Sequence, residues 1–475
     1  MDRRAGDGVV RARDFEIEIA GKQLNLSGQN VLVIGAKRSG LAAAELLLER
    51  GAHVRVMDAQ APEPDASARF GAMRVPIVAQ DAANVSDRGT QPDLIVLSPA
   101  VPYDLPMLIS ARKRGIPVMG EVELASHFLK GPVIGITGAN GKTTTTALTG
   151  HVLAQCGSAC QVGGNIGTPV ASLIRSSQEH QWNVLELSSF QLESIRSFRA
   201  RIAACLNVTP DHLDRHHTFE SYASAKGRLF ETQEQGDLAV LNYDDPTCRS
   251  YSERARADVY WFSSSRRVPN GIWMEDGWLL FNGERFMRRS QIRQRGLHNV
   301  ENVMAAALMA RLAGVDPKAI GPAVESFPGV EHRLEFVREM EGVEYYNDSK
   351  ATNVDAALKA IEAFPDGLWI ILGGKDKGGD YTPLREPLRQ KARAALLVGA
   401  EPPYPYAGAP LIKKALQGAV TTVDCGTLKH AVHYAREHAK SGETVLLAPA
   451  CASYDQFQNF EERGSTFKQL VAELF

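Results

Sequence analysis

The chain has 475 residues, 44% hydrophobic and 23% charged, with a formal net charge of −2. At roughly 150 residues per domain this length predicts about three domains. The near-neutral charge excludes a global field that recruits nucleic acid or an anionic membrane, while leaving room for a local basic pocket around a small anion.

Residues 1–28 read as an N-terminal extension. Met1–Asp14 is charged and glycine-containing and lacks the apolar core of a secretion signal. No stretch approaches the roughly 18–20 apolar residues that span a bilayer, so no membrane insertion and a cytoplasmic location are expected. The six cysteines are few and irregularly spaced, and Cys156 and Cys160 have no second close pair to complete a zinc site. Small buried thiols in a reducing compartment are expected.

The first folded region opens with the apolar run Val31–Ile34, a glycine turn Gly35–Gly40, the helical pattern Leu41–Arg50 and a second strand Val54–Asp58. That grammar is a βαβ unit and implies a parallel sheet. Pro92–Pro99 reads as another buried strand. A second region opens with Val133–Thr137, passes a glycine loop and continues as the helix Lys142–Gln155, with strands expected at Asn183–Leu187, Ile202–Asn207 and Leu238–Asn242. Between Asp258 and Arg288, Asp276-Gly277 and Asn282-Gly283 signal hairpins and a small antiparallel element. His298–Ala313 reads as a helix stopped by Gly314. A third region follows Pro328, with strands at Leu368–Leu372, Ala394–Val398 and Thr444–Ala448. The expected fold is α/β with three domains: 29–122 Rossmann-like, 123–328 P-loop ATPase-like with the antiparallel element, and 329–475 Rossmann-like.

Gly138-Ala139-Asn140-Gly141-Lys142-Thr143 lies between a strand and a helix, the context of a phosphate-binding loop. Glycines let backbone N–H groups converge on phosphate oxygens, and the helix N-terminus adds positive potential. Lys142 would neutralise the β- and γ-phosphates of ATP, and the Thr143 hydroxyl would ligate magnesium. Ile136 stands where the usual longer motif has its first glycine, so the loop is the short form G-x-x-G-K-T. The competing reading is a tight turn with a surface lysine.

The earlier turn offers Gly35, Lys37 and Gly40 to a dinucleotide fingerprint. Lysine at the middle position disfavours NAD and a dehydrogenase, because that glycine admits the pyrophosphate. Asp58, at the end of the second strand, is placed as a ribose-binding acid. A site for another nucleotide and a purely structural βαβ turn are evenly matched there.

Eight segments resemble, in order, the Mur ligase family of cell-wall enzymes: GITGANGKTTTT (135–146), GGNIGTP (163–169), LELSSFQLE (185–193), NVTPDHLDRH (207–216), HNVENVMAA (298–306), PGVEHRLE (328–335), NDSKATN (347–353) and APACASYDQFQNFEERG (448–464). Within the family they match the D-glutamate-adding branch. The resemblance implies ATP-driven conversion of the carboxylate of UDP-N-acetylmuramoyl-L-alanine into an acyl phosphate, attacked by the amine of D-glutamate. Such a site must neutralise clustered negative charge, which magnesium and basic residues can do.

Carried onto this sequence, the resemblance implies that Ala139, Asn140, Gly141, Lys142, Thr143, Thr144 and Thr145 hold ATP, with Asn302, Arg333 and Asp348 embracing it across an interdomain cleft. Thr143 and Glu186 would hold one magnesium ion, with His212 and a carbamylated Lys226 near a second. Lys142, His212 and Lys226 are the implied catalytic set. The letters alone make Lys226 a solvated helix lysine, and His216 and His217 surface residues. Gly35, Ser39, Asp58, Ser98, Asn165, Gln191 and His212 fall where the UDP-linked substrate is held. Ala59 and Gln60 follow Asp58 where some relatives carry Thr-Arg. Thr352, Lys377, Ser453 and the backbone around Phe460 match the D-glutamate positions, with Lys375 as a competing lysine. A monomer that closes by moving its third domain is expected.

Two other functions remain in view. A folylpolyglutamate synthase-type ligase lacks the UDP-binding first domain. A non-catalytic nucleotide module has no need of Glu186, His212 and Lys226 together.

Overall fold

The computed structural model describes residues 24–62, 64–81, 85, 91–292, 296–400 and 404–474. Residues 1–23, most of the expected N-terminal extension, lie outside them. Leu26, also assigned to that extension, is buried in the core of the first sheet.

The first sheet holds β1 (Asn30–Ile34), β2 (His53–Asp58), β3 (Ile77–Ala79), β4 (Leu94–Leu97) and β5 (Val118–Gly120). All its pairs are parallel, in the order β3-β2-β1-β4-β5. The central strands β1 and β4 carry continuous apolar runs because a parallel sheet is covered on both faces. The first helix begins at Arg38, three residues before the apolar pattern does, and so overlaps the glycine turn. Gly40 makes this possible, since a Cβ there would lie 1.7 Å from the carbonyl oxygen of Gly35.

The second sheet comprises β6 (Val133–Thr137), β7 (Cys160–Gly164), β8 (Trp182–Glu186), β9 (Ile202–Cys205), β10 (Leu238–Asn242), β11 (Asp258–Ser263), β12 (Gly271–Glu275), β13 (Trp278–Phe281) and β14 (Glu284–Arg288). Its order is β14-β13-β12-β11-β10-β9-β6-β8-β7. The strands from β7 to β12 pair in parallel, and β12, β13 and β14 form the antiparallel hairpins. Asp276 (φ 49°) and Gly277 (φ 73°), then Asn282 (φ 48°) and Gly283 (φ 96°), occupy the two turns. Positive φ at both central residues is what a two-residue hairpin loop of type I′ requires. The antiparallel element extends the central sheet rather than forming a separate one.

The third sheet contains β15 (Glu335–Met340), β16 (Val343–Asn347), β17 (Leu368–Gly373), β18 (Ala392–Val398), β19 (Thr421–Gly426) and β20 (Thr444–Leu447). Its order is β15-β16-β20-β17-β18-β19, parallel except for the β15–β16 edge. The first two sheets belong to one compact unit, the described residues up to Arg288 with Glu301–Val324. The third belongs to another, Arg289–Val300 with the residues from Glu325 onward.

Within the first unit a short helix, Glu121–Ser126, ties the first sheet to the second. Glu123 accepts the backbone N–H groups of Arg196 (2.8 Å), Ser197 (2.8 Å) and Phe198 (3.0 Å), and the Ser197 hydroxyl at 2.5 Å. Glu121 is far less well served. Its Oε1 accepts the Ala171 N–H at 2.6 Å, while Oε2 is buried with no hydrogen-bond partner among the described residues. Burial pushes its pKa up to about 7, against the opposing backbone N–H groups of Ala171 and Val170.

A carboxyl whose pKa is raised on folding stabilises the fold at low pH and loses that contribution as pH climbs from about 4.5 to about 7. Glu121→Gln keeps an oxygen for the Ala171 N–H and cannot ionise. It should therefore melt above the parent protein at pH 8, by an amount equivalent to about 3 kcal/mol, with the difference vanishing near pH 4.5. Melting curves at the two pH values read the effect directly, and an equal difference at both would contradict it.

Candidate active site

The loop between β6 and the helix Lys142–Gln155 is built around two glycines with positive φ, Gly138 (153°) and Gly141 (84°). Ile136, the residue that breaks the longer motif, is an interior residue of β6 and fully buried, so the loop begins later and is short. The predicted strand Ile202–Asn207 stops at Cys205, and the reason lies in the loop. Leu206 N–H donates to the Thr137 carbonyl at 3.0 Å, and Asn207 then clamps the turn. The Asn207 carbonyl accepts from Ala139 N–H (2.8 Å), its Oδ1 accepts from Asn140 N–H (2.8 Å), and its Nδ2 donates to the Asn140 carbonyl (3.1 Å). The N–H groups of Ala139 and Asn140, expected to face phosphate, are thus taken up in holding the loop. The positive end of the helix dipole stands at Lys142–Thr144 instead.

Asn302 supports the loop from behind. Its Oδ1 accepts from the Thr145 hydroxyl at 3.2 Å, and a Cβ added to Gly141 would come within 2.2 Å of it. Thr145 is fully buried and serves the packing of the helix.

Two ammonium groups meet at the same carbonyl. Lys142 Nζ donates to the carbonyls of Gly138 and Ala139, each at 2.9 Å, and Lys226 Nζ donates to Gly138 at 2.8 Å. Lys226, on the helix Phe219–Glu231, is only 1% exposed, with its Nζ 4.6 Å from the centre of the Tyr222 ring. Sequence alone made it a solvated lysine, yet it is buried. Burial first, and the neighbouring Lys142 second, lower its pKa to about 7.

Glu186, the last residue of β8, is buried and held by Asn165. Asn165 Nδ2 donates to Glu186 Oε1 at 2.8 Å, while Oε2 has no hydrogen-bond partner among the described residues. His212 follows β9 with its backbone in the left-handed region (φ 52°), its ring half-exposed and 4.8 Å from that of Phe190. The strand order β9-β6-β8-β7 therefore gathers four of the expected groups at neighbouring carboxyl ends: His212 after β9, the loop after β6, Glu186 at the end of β8 and Asn165 after β7. That edge is where open parallel sheets carry their ligands.

His216, expected at the surface, is buried; its Nε2 lies 2.9 Å from Ser189 Oγ and its Nδ1 3.2 Å from Glu193. His217 is exposed. Gln191 closes a capping box, its Oε1 accepting from Ser188 N–H at 2.9 Å, which leaves its amide nitrogen as the group to offer a ligand.

On the first sheet, Ser98 follows β4 and packs against Gly35, where a Cβ would lie 2.5 Å from that of Ser98. Ser39 is half-buried in the first turn of the helix Arg38–Glu49. Asp58 accepts Ala36 N–H at 2.7 Å and Gln60 N–H at 3.0 Å, so its two oxygens brace the turn itself. A narrow cleft lies between the first two sheets, lined by Ser98, Val101, Glu121, Phe190, Gln191 and Glu193 among others. It unites Ser98 with Gln191 but does not include Asp58.

In the second unit Asp348, Thr352, Lys377, Ser453 and Phe460 follow the carboxyl ends of β16, β17 and β20, which are adjacent in the sheet. Burial raises the pKa of Asp348 to about 7 despite the opposing charge of Arg333. Arg333 is flanked by two non-glycine residues at positive φ, His332 (62°) and Leu334 (42°), a concentration of backbone strain. Lys377 is exposed, whereas the Lys375 backbone pairs with Ala452 and its Nζ lies 5.2 Å from the centre of the Tyr406 ring. Ser453 is buried, and the Phe460 carbonyl accepts the Ser349 hydroxyl at 2.8 Å. Arg463 escaped the sequence reading. Almost fully buried, it donates to Ser349 Oγ (3.0 Å), the Ser349 carbonyl (2.8 Å) and the Cys451 carbonyl (3.2 Å), joining two of these loops.

Among the described residues no group of three or more His, Cys, Asp and Glu side chains is placed to hold a metal. Magnesium needs no such cage, since it keeps several waters and takes one or two carboxylates plus phosphate oxygens. The unpartnered Glu186 oxygen beside a phosphate loop fits that requirement.

Three family profiles match the chain: the Mur ligase MurD-like N-terminal domain over residues 29–120, the Mur ligase middle domain over 136–310 and the Mur ligase glutamate ligase domain over 332–451. The UDP-N-acetylmuramoylalanine–D-glutamate ligase of Solibacter usitatus is 56% identical over 448 residues, covering 94% of this chain and 98% of the relative. The chain belongs to the Mur ligase family. A Mur ligase of the same description from Acidobacterium capsulatum is 48% identical over 94% of the chain and 97% of its own length. Among solved Mur ligase structures, UDP-N-acetylmuramate–alanine ligase from Thermotoga maritima superposes with a TM-score of 0.59 at 18% identity, covering 94% of this chain and 99% of that one. A MurF ligase of the same organism, solved with ADP, gives a TM-score of 0.56 at 18% identity, covering 94% and 96%. These two likenesses bear on the three-domain α/β fold alone.

Asn207→Ala removes two of the three hydrogen bonds that clamp the phosphate loop, each worth about 1 kcal/mol net. The expected result is about a tenfold loss in ATP affinity by calorimetry with a fall of only a few degrees in melting temperature. Unchanged affinity would show that the loop keeps its shape without the clamp.

Proposed function

We propose that this Mur ligase joins D-glutamate to UDP-N-acetylmuramoyl-L-alanine at the expense of ATP, releasing ADP and phosphate, in cytoplasmic synthesis of peptidoglycan precursors. One observation carries the reading: 56% identity across nearly the full length of a D-glutamate ligase. Within the first unit, the phosphate loop, Glu186, Asn165 and His212 at neighbouring strand ends support the reading.

The substrate lies along the cleft that holds Ser98 and Gln191, with Asn165 and His212 toward its reacting end. Lys142 and the helix N-terminus hold the ATP phosphates, orienting the γ-phosphorus toward the L-alanyl carboxylate. The carboxylate oxygen bonds to that phosphorus, ADP leaves, and an acyl phosphate results. The amine of D-glutamate then attacks the acyl carbon, the phosphate departs with the bonding pair, and the ammonium proton is lost to solvent. The family resemblance assigns Thr352, Lys377, Ser453 and the Phe460 backbone to the amino acid, and Asn302, Arg333 and Asp348 to ATP. Glu186 and Thr143 would hold magnesium, with His212 and Lys226 placed for a second ion, and the metal would neutralise charge on the phosphate oxygens.

Lys226 enters this site as an anion rather than a cation. A lysine with a pKa near 7 presents a neutral amine to carbon dioxide, and the carbamate forms with release of one proton. The carbamate nitrogen retains an N–H for the Gly138 carbonyl and gains two oxygens.

Phosphate release with UDP-N-acetylmuramoyl-L-alanine, ATP and magnesium should require D-glutamate. Release with L-glutamate or L-alanine but not D-glutamate would contradict the assignment. Lys226→Ala should lose at least about 100-fold in kcat, with part restored by a short carboxylic acid that supplies the missing anion. Full activity in that variant would remove the lysine from the reacting centre.

A further inference from the structure

The segment that carries His212 has little intrinsic stability. His212 sits in the left-handed region (φ 52°) and opens a helix of four residues, Leu213–His216, with Arg215 and His216 N–H groups donating to the His212 carbonyl at 3.1 and 3.0 Å. A single turn does not persist alone, and a non-glycine residue resists this conformation. Side chains must hold it, and those of Arg215 and His216 do.

Arg215 reaches three acceptors at once. It donates to the backbone carbonyls of Ala100 (3.3 Å) and Val101 (2.9 Å) on the first sheet's side, and to Glu193 Oε2 (2.8 Å) on the second's. Its guanidinium also lies 4.9 Å from the centre of the Phe190 ring. The other Glu193 oxygen faces His216 Nδ1 at 3.2 Å, and Phe190 lies against His212 and His216, with centroids 4.8 and 5.5 Å away. Val101, Phe190 and Glu193 line the cleft, and Val101 N–H donates to the Ser98 carbonyl at 3.0 Å. The guanidinium therefore spans the two walls of the cleft and roots the turn bearing His212 in both. Lysine, with one compact ammonium, cannot serve three divergent acceptors.

We propose that Arg215 is a positioning residue that couples occupancy of the cleft by the UDP-linked substrate to the orientation of His212. A ligand seated against the Ser98–Val101 loop fixes the two carbonyls Arg215 holds, and through Arg215 and Glu193 it fixes the His212 turn for the reaction. This rests on the ligase reading above, with His212 at the reacting phosphate.

A double-mutant cycle tests the coupling. Arg215→Gln should lower kcat by about 10–100-fold, as small misplacements of a reacting group do. KM for the UDP-linked substrate should rise by less, and KM for ATP should stay unchanged. Arg215→Lys should fall between parent and Arg215→Gln. If Arg215 acts through His212, the double variant Arg215→Gln/His212→Gln is no slower than His212→Gln alone. Should Arg215→Gln fail to fold by its melting curve, Glu193→Gln enters the same cycle with the same expectation. Multiplying rate losses, or a change confined to KM for the UDP-linked substrate, would overturn the coupling while leaving the ligase reading intact. A parent protein that releases no phosphate with any amino acid would overturn the ligase reading, and this inference with it.

Discussion

Two ammonium groups, Lys142 and Lys226, converge on the carbonyl of Gly138. Lys226 is nearly devoid of solvent. Burying like charges together is unfavourable unless anions join them or one charge is given up. Both remedies are within reach here: the near-neutral pKa of Lys226 reflects the second, and a triphosphate on the loop would provide the first. The surrounding scaffold keeps this pair in place. β6 delivers the loop, Asn207 locks its backbone, Asn302 fills the space behind Gly141, and the helix Phe219–Glu231 brings Lys226 beneath it.

The parallel sheets account for how residues far apart in sequence serve one site. In the second sheet, β9, β6, β8 and β7 lie side by side and point their carboxyl ends the same way. Each contributes one group, so the chemistry is distributed over loops and the geometry is held by strands. The third sheet repeats the arrangement with β16, β20 and β17, where the strained backbone around Arg333 and the buried Arg463 set the loops. In the first unit Glu123 supplies a rigid join between sheets, while Glu121 provides a weaker one whose second oxygen has no partner among the described residues.

Much of the frame was legible because it depends on neighbours in sequence. The strand Val133–Thr137 and helix Lys142–Gln155 follow from an apolar run and a glycine loop, and both hairpin turns follow from Asp-Gly and Asn-Gly. The contacts that tune the site were not legible. Asn207 reads as the end of a strand until the loop 67 residues earlier is folded beside it. His216 reads as polar surface until Ser189, Glu193 and Phe190 enclose it, and Lys226 reads as an ordinary helix lysine until Gly138 and Tyr222 do the same. Asp58 shows a second role that its position does not announce: each of its oxygens accepts one backbone N–H of its own domain, which braces the turn and leaves lone pairs for a further donor. Burial and hydrogen-bond partnership at long sequence separation are tertiary properties, and no local pattern encodes them.

If the phosphate loop, the two lysines and Glu186 activate a carboxylate, an oxygen atom must pass from that carboxylate to phosphate. With UDP-N-acetylmuramoyl-L-alanine carrying ¹⁸O in its carboxylate, turnover with ATP, magnesium and D-glutamate should place one labelled oxygen in each phosphate released, as read by mass spectrometry. Unlabelled phosphate accompanying normal product formation would contradict the account, because the carboxylate would then have reacted without ever being phosphorylated.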